Sequence, residues 1–560
     1  MRLKGLTLLF LQVTAQALGS AMAARGSTVR VNAGTRFTHC SQVLAALAVS
    51  LGPFAAGLGK GYSSPAIASL QEQQRVPLDP GGAAGAVGGG ATDSGFTVSP
   101  QQASWVASLS LLGALFGGLL GGMAMRYGRR KVLLVTAVPF SASWLVTVFA
   151  TSVEMMFVTA FVGGFCCSIV LLVTQVYVSE IAGPDIRGCL SAVLKMVGQV
   201  GVLLSFLGGA YLDWRQLALV VAVAPIMLFV SVLYVPETPS YLVLAGKDDE
   251  AARALQWLRG PDTDVGPELA VIRSNILCAT DDSTPPRSPA SFMTHSHRML
   301  RPALTTCGLM LFQRFSGAQA FQFYAVPIFR QTFGGMSPHG GAIAVAFVQL
   351  LASLLSGLLI DTVGRLPLLI ASSVFMSMAL AGFGSFAYYM DAQGDRGAAL
   401  GGSHDWIPLL CVLVFTVAFS LGISPISWLL ISELFPLQYR GAGSSLATSF
   451  SYACAFVGVK TFVDFQQALG LHGAFWLYAA ISVCGLCFVV CCVPETKGRD
   501  LDEMSPRWNT AASATAATAA AGVRVQPPPA VPAAHLAHHH HHHHHMGLGL
   551  GPGLGPPGGA

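Results

Sequence analysis

Charge is what this chain has least of. Asp, Glu, Lys and Arg make up 10% of its 560 residues, against 53% hydrophobic. A soluble protein of this length carries about a quarter charged residues. So much apolar surface does not fit inside the cores of water-facing domains, which leaves the bilayer as the solvent. No Asn-x-Ser/Thr sequon occurs. A Walker-type phosphate loop, an H-E-x-x-H zinc motif and a GxSxG elbow are all missing. An enzyme therefore finds no support, and neither a cofactor nor a nucleic-acid partner is expected. The 12 cysteines sit mostly inside apolar runs, as small hydrophobes and not as a disulfide framework. Cys484 and Cys487 form a CxxC within one continuous apolar helix, where packing is the better reading than redox or metal chemistry.

What is present is a series of apolar runs long enough to cross a bilayer as helices. About twelve can be read, near 43–68, 103–124, 132–150, 155–179, 189–211 and 215–235, then 303–330, 341–360, 367–389, 406–431, 442–464 and 473–493. The chain divides accordingly into an N-terminal extension (1–40), a first bundle (41–235), a helical linker (236–300), a second bundle (301–505) and a disordered tail (506–560). Within the linker, AARALQWLRG (251–260) reads as an amphipathic, water-exposed helix.

Basic residues sort the loops. Arg126, Arg129, Arg130 and Lys131 follow the second span, on the side of the linker. Glu154, Asp213, Asp391, Asp395, Asp405 and Asp464 mark the opposite side. The linker and both termini are thus expected in the cytoplasm. Residues 1–23 look like a signal peptide, yet cleavage would leave the N-terminus outside, against the loop charges; a cytoplasmic extension fits better. Residues 80–92 read as a flexible outer loop, and the tail carries an uninterrupted run, His538 to His545, in which metal binding would be incidental.

The two halves repeat. GGMAMRYGRR (121–130) corresponds to GLLIDTVGR (357–365), SEIAGPDIRG (179–188) to SELFPLQYRG (432–441), and PETP (236–239) to PETKGR (494–499). Arg129 is expected to pair with Glu180 and Arg365 with Glu433, joined by Arg187, Arg440 and Asp361. Such pairs form a two-state latch between helix ends. The alternative for any single copy is ordinary positive-inside topology, but paired copies favour the latch.

These motifs, with GYSSPA (61–66), QRFSG (313–317) and SPISW (424–428), resemble the sugar-porter branch of the major facilitator superfamily over roughly residues 41–505. RALQWLRG (253–260), DVGPEL (264–269), KTFVD (460–464) and LHGAFW (471–476) are most similar to the facilitated trehalose transporters, with glucose transporters as runner-up. The resemblance implies an all-α membrane protein of twelve transmembrane helices in two six-helix bundles, the major facilitator fold, built from repeated halves with a site between them. It implies facilitated diffusion of a small sugar by alternating access in a multi-pass protein, with the plasma membrane as the expected location. It places the sugar site mainly in the second half, on Gln313, Gln319, Tyr324, Gln349 and Trp428. Amides supply the donors and acceptors that hydroxyls require, and an indole supplies an apolar face with a donor. These same polar groups otherwise read as glue between helices, and Gln322 is left undecided. Gln313 and Tyr324 are expected to be separated by partly unwound helix around Gly317. Pro425 is expected to kink the tenth span as a gate hinge.

The chain departs from that family at several points. Met125, Ala160 and Ser240 stand where an acid and two arginines are usual. Lys60, Lys195 and Arg314 map toward the cavity, with no intramembrane carboxylate to pair them. Ser451 and Tyr452 replace an asparagine and a tryptophan. Two alternatives follow: a carrier of an anionic sugar-like solute, or a sensor or degenerate paralogue without flux. Ser63 and Ser64 stand where proton-coupled porters carry a carboxylate, which favours downhill transport.

Overall fold

The computed structural model describes residues 40–75, 97–183, 186–282, 289–394, 404–434 and 440–494. All belong to one compact unit, Met1–Met504, and the second unit, Ser505–Ala560, lies outside the described residues. So do residues 1–39, the Gly-rich loop at 80–92 and the histidine run.

The first half comprises α1 (Cys40–Val49), α2 (Leu51–Arg75), α3 (Pro100–Ala124), α4 (Arg129–Val148), α5 (Val153–Ile181), α6 (Arg187–Gly209) and α7 (Trp214–Leu233). Three linker helices follow: α8 (Pro239–Leu244), α9 (Asp248–Arg259) and α10 (Gly266–Asp282). The second half comprises α11 (Pro289–Arg314), α12 (Ala318–Thr332), α13 (Pro338–Val363), α14 (Arg365–Gln393), α15 (Trp406–Leu421), α16 (Ile423–Leu434) and α17 (Arg440–Cys492). No strand occurs among the described residues.

Among the described residues, ten helical stretches are long and apolar enough to cross a membrane. Two features reconcile that figure with twelve crossings. The stretch Gly443–Cys492 is 50 residues long and turns at Gly470, whose φ of 77° breaks it into two. The seventh span is divided between α11 and α12 at Gly317, where φ is 91°. The lipid-facing sides are what the sequence requires of a membrane helix: on α7, Leu219, Val223, Ile226 and Val230 are all exposed while Val221, Leu228 and Val232 are buried.

How helices start depends on the end of the bundle. At the end remote from the linker, Ser99, Ser152, Asp213 and Ser337 cap α3, α5, α7 and α13 with side-chain oxygens. At the linker end, α4 and α14 begin instead after Gly128 and Gly364, at φ 118° and 100°. These are the glycines of the repeated GR motif, and a side chain at either would be strained.

Close backbone approach holds the first half together. α2 packs on α6, α3 on α5, and α4 on both α5 and α7. A Cβ at Gly164 would collide with the Ser110 carbonyl, and one at Gly57 with the Gly198 carbonyl. In the second half α14 packs on α15 and α17 around a cluster of Phe321, Phe383, Phe415 and Phe475. The halves meet as α3 on α17, α6 on α13, and α2 on α12. The first two contacts exchange places under the internal repeat.

α9 carries the amphipathic segment read from the sequence: Ala251, Ala254, Leu255 and Leu258 are buried. Arg259, its last residue, grips Glu268 through Nε and Nη2 and donates from Nη1 to the Ile181 carbonyl at 3.0 Å, tying the linker to the end of α5.

Candidate functional site

The break between α11 and α12 organises the second-half site. α11 ends at Arg314, and Phe315 to Gly317 are non-helical before α12 starts at Ala318. Three amides flank this break. Gln313 is 3% exposed and Gln319 8%, and neither amide oxygen has a hydrogen-bond partner among the described residues. The Gln322 Nε2 group is in the same state. Buried amides ordinarily find partners inside the protein, so three open valences around one unwound segment make a surface suited to hydroxyl groups.

Tyr324 is held differently. It is buried, stacks on Phe462 at 5.0 Å, and its hydroxyl donates to the Val459 carbonyl at 3.1 Å. Its backbone is itself non-helical, with φ −128° and ψ 21°. Tyr324 thus fastens the irregular part of α12 to α17. Gln349 is half-buried on α13, and Lys195 is exposed on α6.

Arg314 has no carboxylate partner among the described residues, but it is not bare. Its guanidinium carbon lies 6.0 Å from the Trp428 ring centre and 5.9 Å from that of Tyr452, and Nε donates to Ser451 Oγ at 3.0 Å. Two aromatic faces and a hydroxyl therefore balance the cation. Three departures from the family pattern, at 314, 451 and 452, form one contact group. Arg314 lies 137 positions from Ser451, so no sequence spacing joins it to the adjacent pair Ser451 and Tyr452.

Lys60 sits elsewhere. With Ala160, Trp144 and Cys167 it lines a cavity among α2, α3, α4 and α5, bounded on the second-half side by Phe323 and Tyr452. Ala160 replaces an expected arginine on α5, and Lys60 supplies a cation to the same cavity from α2.

Near the linker, Arg129 Nη2 donates to Glu180 Oε1 at 2.8 Å, with both side chains mostly buried. Nη1 donates to the carbonyl of Met125, the residue that replaces the family's acid, at 3.0 Å. Glu237 of the PETP motif contributes what the sequence left unread. Its carboxylate accepts from the backbone N–H groups of Arg129 and Arg130 at 3.1 Å each, capping the unfilled start of α4. Arg130 in turn donates to the Val232 and Leu233 carbonyls at the end of α7. The side chains of Arg187, Asp361, Glu433 and Arg440 lie outside the described residues, and Arg365 opens α14.

The tenth span breaks at Gly422, within the turn that precedes Pro425. α15 ends at Leu421 and α16 starts at Ile423. Pro425 has no N–H for the Leu421 carbonyl and its ring crowds that carbonyl, which sets the break one turn upstream of the proline. Ser372 on α14 fills the break, donating to the Ala418 carbonyl at 2.7 Å and accepting from Ile423 N–H at 3.3 Å. A Cβ at Gly422 would strike Ser372.

At the opposite end, Asp405 accepts from the N–H groups of Gly334, Gly335 and Met336 at 2.9, 2.9 and 2.7 Å. Burial alone would raise its carboxyl, but these three bonds and the nearby His404 hold it below the ordinary aspartate value.

The chain is similar to known carriers over most of its length. The family model for sugar (and other) transporters matches residues 45–508. A facilitated trehalose transporter of Culex quinquefasciatus is 38% identical over 467 residues, covering 83% of this chain and 85% of that one. One from Polypedilum vanderplanki is 37% identical over 466 residues, covering 83% and 87%. The inward-open xylose transporter of E. coli superposes with a TM-score of 0.65 at 21% identity, covering 82% of this chain and 98% of that one. With its helices, its repeated motifs and these matches in hand, the chain belongs to the sugar-transporter family, with the major facilitator fold.

Proposed function

We propose that this protein carries a neutral sugar, trehalose or a hexose, down its gradient by alternating access. The observation that carries the reading is the set of open amide valences at Gln313, Gln319 and Gln322 around the break at Gly317. Sugar hydroxyls both donate and accept, and amides answer both. Trp428 offers the ring face. Arg314, engaged by two aromatic rings and Ser451, orders that wall. The trehalose transporters named above favour the disaccharide. No carboxylate lies among the residues lining the α2–α5 cavity, in keeping with uniport.

The linker end is the cytoplasmic one, from the basic cluster at 126–131, and the plasma membrane is its site. The first bundle (41–235) and the second (301–505) act as the two rocking bodies, with the Arg129–Glu180 pair as one latch and Gly422 as a hinge in the second half. Uptake of labelled trehalose, glucose and glucuronate into proteoliposomes tests the reading. Saturable flux of a neutral sugar, unaffected by collapsing a proton gradient and lost in Gln313→Ala, is expected. Binding without flux would mark a sensor, and flux of the acid alone would mark an anion carrier.

A further inference from the structure

Among the described residues, the cavity between α2 and α5 is lined by one cation and no carboxylate. Lys60 is exposed where it lines this space, with no hydrogen bond or ion pair among the described residues. None of the residues lining the cavity is a carboxylate. Trp144, on the same wall, is packed edge-on against Tyr62 at 4.8 Å, and its indole N–H is buried without a partner among the described residues. The Tyr62 hydroxyl donates its proton to the Trp214 carbonyl at 3.0 Å. The rest of the wall is largely apolar: Val106, Leu111, Phe140 and Met156.

An ammonium and an unfilled N–H donor set in an apolar chamber lack one thing in common, which is a negatively charged acceptor. A cation within the membrane span is costly unless it is paired or wet. A carboxylate answers the ammonium, and a short hydrocarbon or aryl body matches the apolar part of the walls. Hydroxyls of Ser63, Ser110, Thr159 and Ser168 also line the chamber, but none of them carries a charge to answer Lys60. We propose that the α2–α5 cavity is a second binding site, taking a small monoanion with an apolar body, its carboxylate on Lys60 and its body against Phe140 and Met156. The proposal does not rest on the sugar assignment, because the cavity is lined mainly by first-half residues, with Phe323 and Tyr452 at its edge, and it is read by binding alone.

The probe is phenylacetate, with phenylacetamide as its neutral isostere, titrated calorimetrically into the full-length protein in nanodiscs. Phenylacetate is expected to bind on the order of tenfold more tightly than the amide, as an ion pair shielded from bulk water allows. Lys60→Gln is expected to erase the preference, and Lys60→Arg to keep it. Ala160→Trp, which fills the chamber and leaves Lys60 in place, is expected to abolish binding of both compounds. Equal affinity for the two probes in the native protein overturns the proposal. So does a preference that survives Lys60→Gln, or undiminished binding in Ala160→Trp. A native thermal midpoint in each variant separates these outcomes from misfolding.

Discussion

Arg330 Nη2 lies 2.6 Å from Glu72 Oε1, joining α12 of the second half to α2 of the first. Among the described residues, most other polar contacts between the halves lie at the same end, remote from the linker, while Ser64 Oγ accepts from the Val326 N–H deeper in the bundle at 2.9 Å. Gln101 on α3 bonds Asp464 at 2.7 Å and accepts from Lys460 at 3.1 Å, and Lys460 also lies 4.9 Å from the Trp105 ring. The structure is thus fastened at the remote end. Glu72 is 60% exposed, which holds the pair's worth to about 0.5–1 kcal/mol. Glu72→Gln is therefore expected to raise the population open at the remote end about two- to fivefold. Spin-label distances across α2 and α12 measure it, and exchanging the charges (Glu72→Arg with Arg330→Glu) should restore the native distribution.

The Arg129–Glu180 pair is worth more, because its members are 15% and 18% exposed. Removing one partner leaves the other charge poorly solvated, at a cost of about 2–4 kcal/mol. Glu180→Gln should lower the thermal midpoint by several degrees and slow uptake. Arg129→Lys should fail to rescue, since a single ammonium cannot serve both Glu180 and the Met125 carbonyl. A midpoint unchanged in both variants would remove the latch from the account.

Much of this was legible in the sequence, for identifiable reasons. Apolar runs reveal helices because the bilayer imposes both length and composition. The repeated GR glycines mark helix starts because only glycine tolerates their φ. The Arg129–Glu180 partnership could be read because charges recur at helix ends in both halves. Tertiary closeness without periodicity is what stayed hidden. Glu237 caps α4 from more than a hundred residues away, Arg314 finds its rings on two other helices, and Ser372 fills the break that opens one turn before Pro425.

The grouping of Arg314 with Tyr452 predicts energetic coupling. Arg314→Gln and Tyr452→Leu, made singly and together, should show a coupling of about 1 kcal/mol in thermal stability. Additive effects would mean that the ring contributes only apolar area. The same cycle read on the KM for sugar should show Arg314→Gln altering affinity more than maximal rate, as expected for a residue that orders the binding wall.

Asp405 predicts a pH dependence. Its carboxyl titrates below the ordinary 3.8 in the fold, so the ionised form stabilises the native state. That contribution is complete above 3.8 and fades as the pH falls further. Asp405→Asn should flatten the acid limb of the stability profile. At neutral pH it should cost about 1–3 kcal/mol, since one amide oxygen cannot serve three backbone donors. An unaltered acid limb would dissociate the clamp from stability.

The ammonium on α2 also has an electrical meaning. A carrier that alternates its aqueous access changes which side's potential reaches a fixed charge inside it, even when the cargo is neutral. Each tenth of the membrane field that shifts across Lys60 is worth about 0.2 kcal/mol at 100 mV. Inward and outward half-cycles then cease to be equivalent in a polarised membrane, and a passive sugar carrier acquires a preferred direction of rest without consuming any gradient.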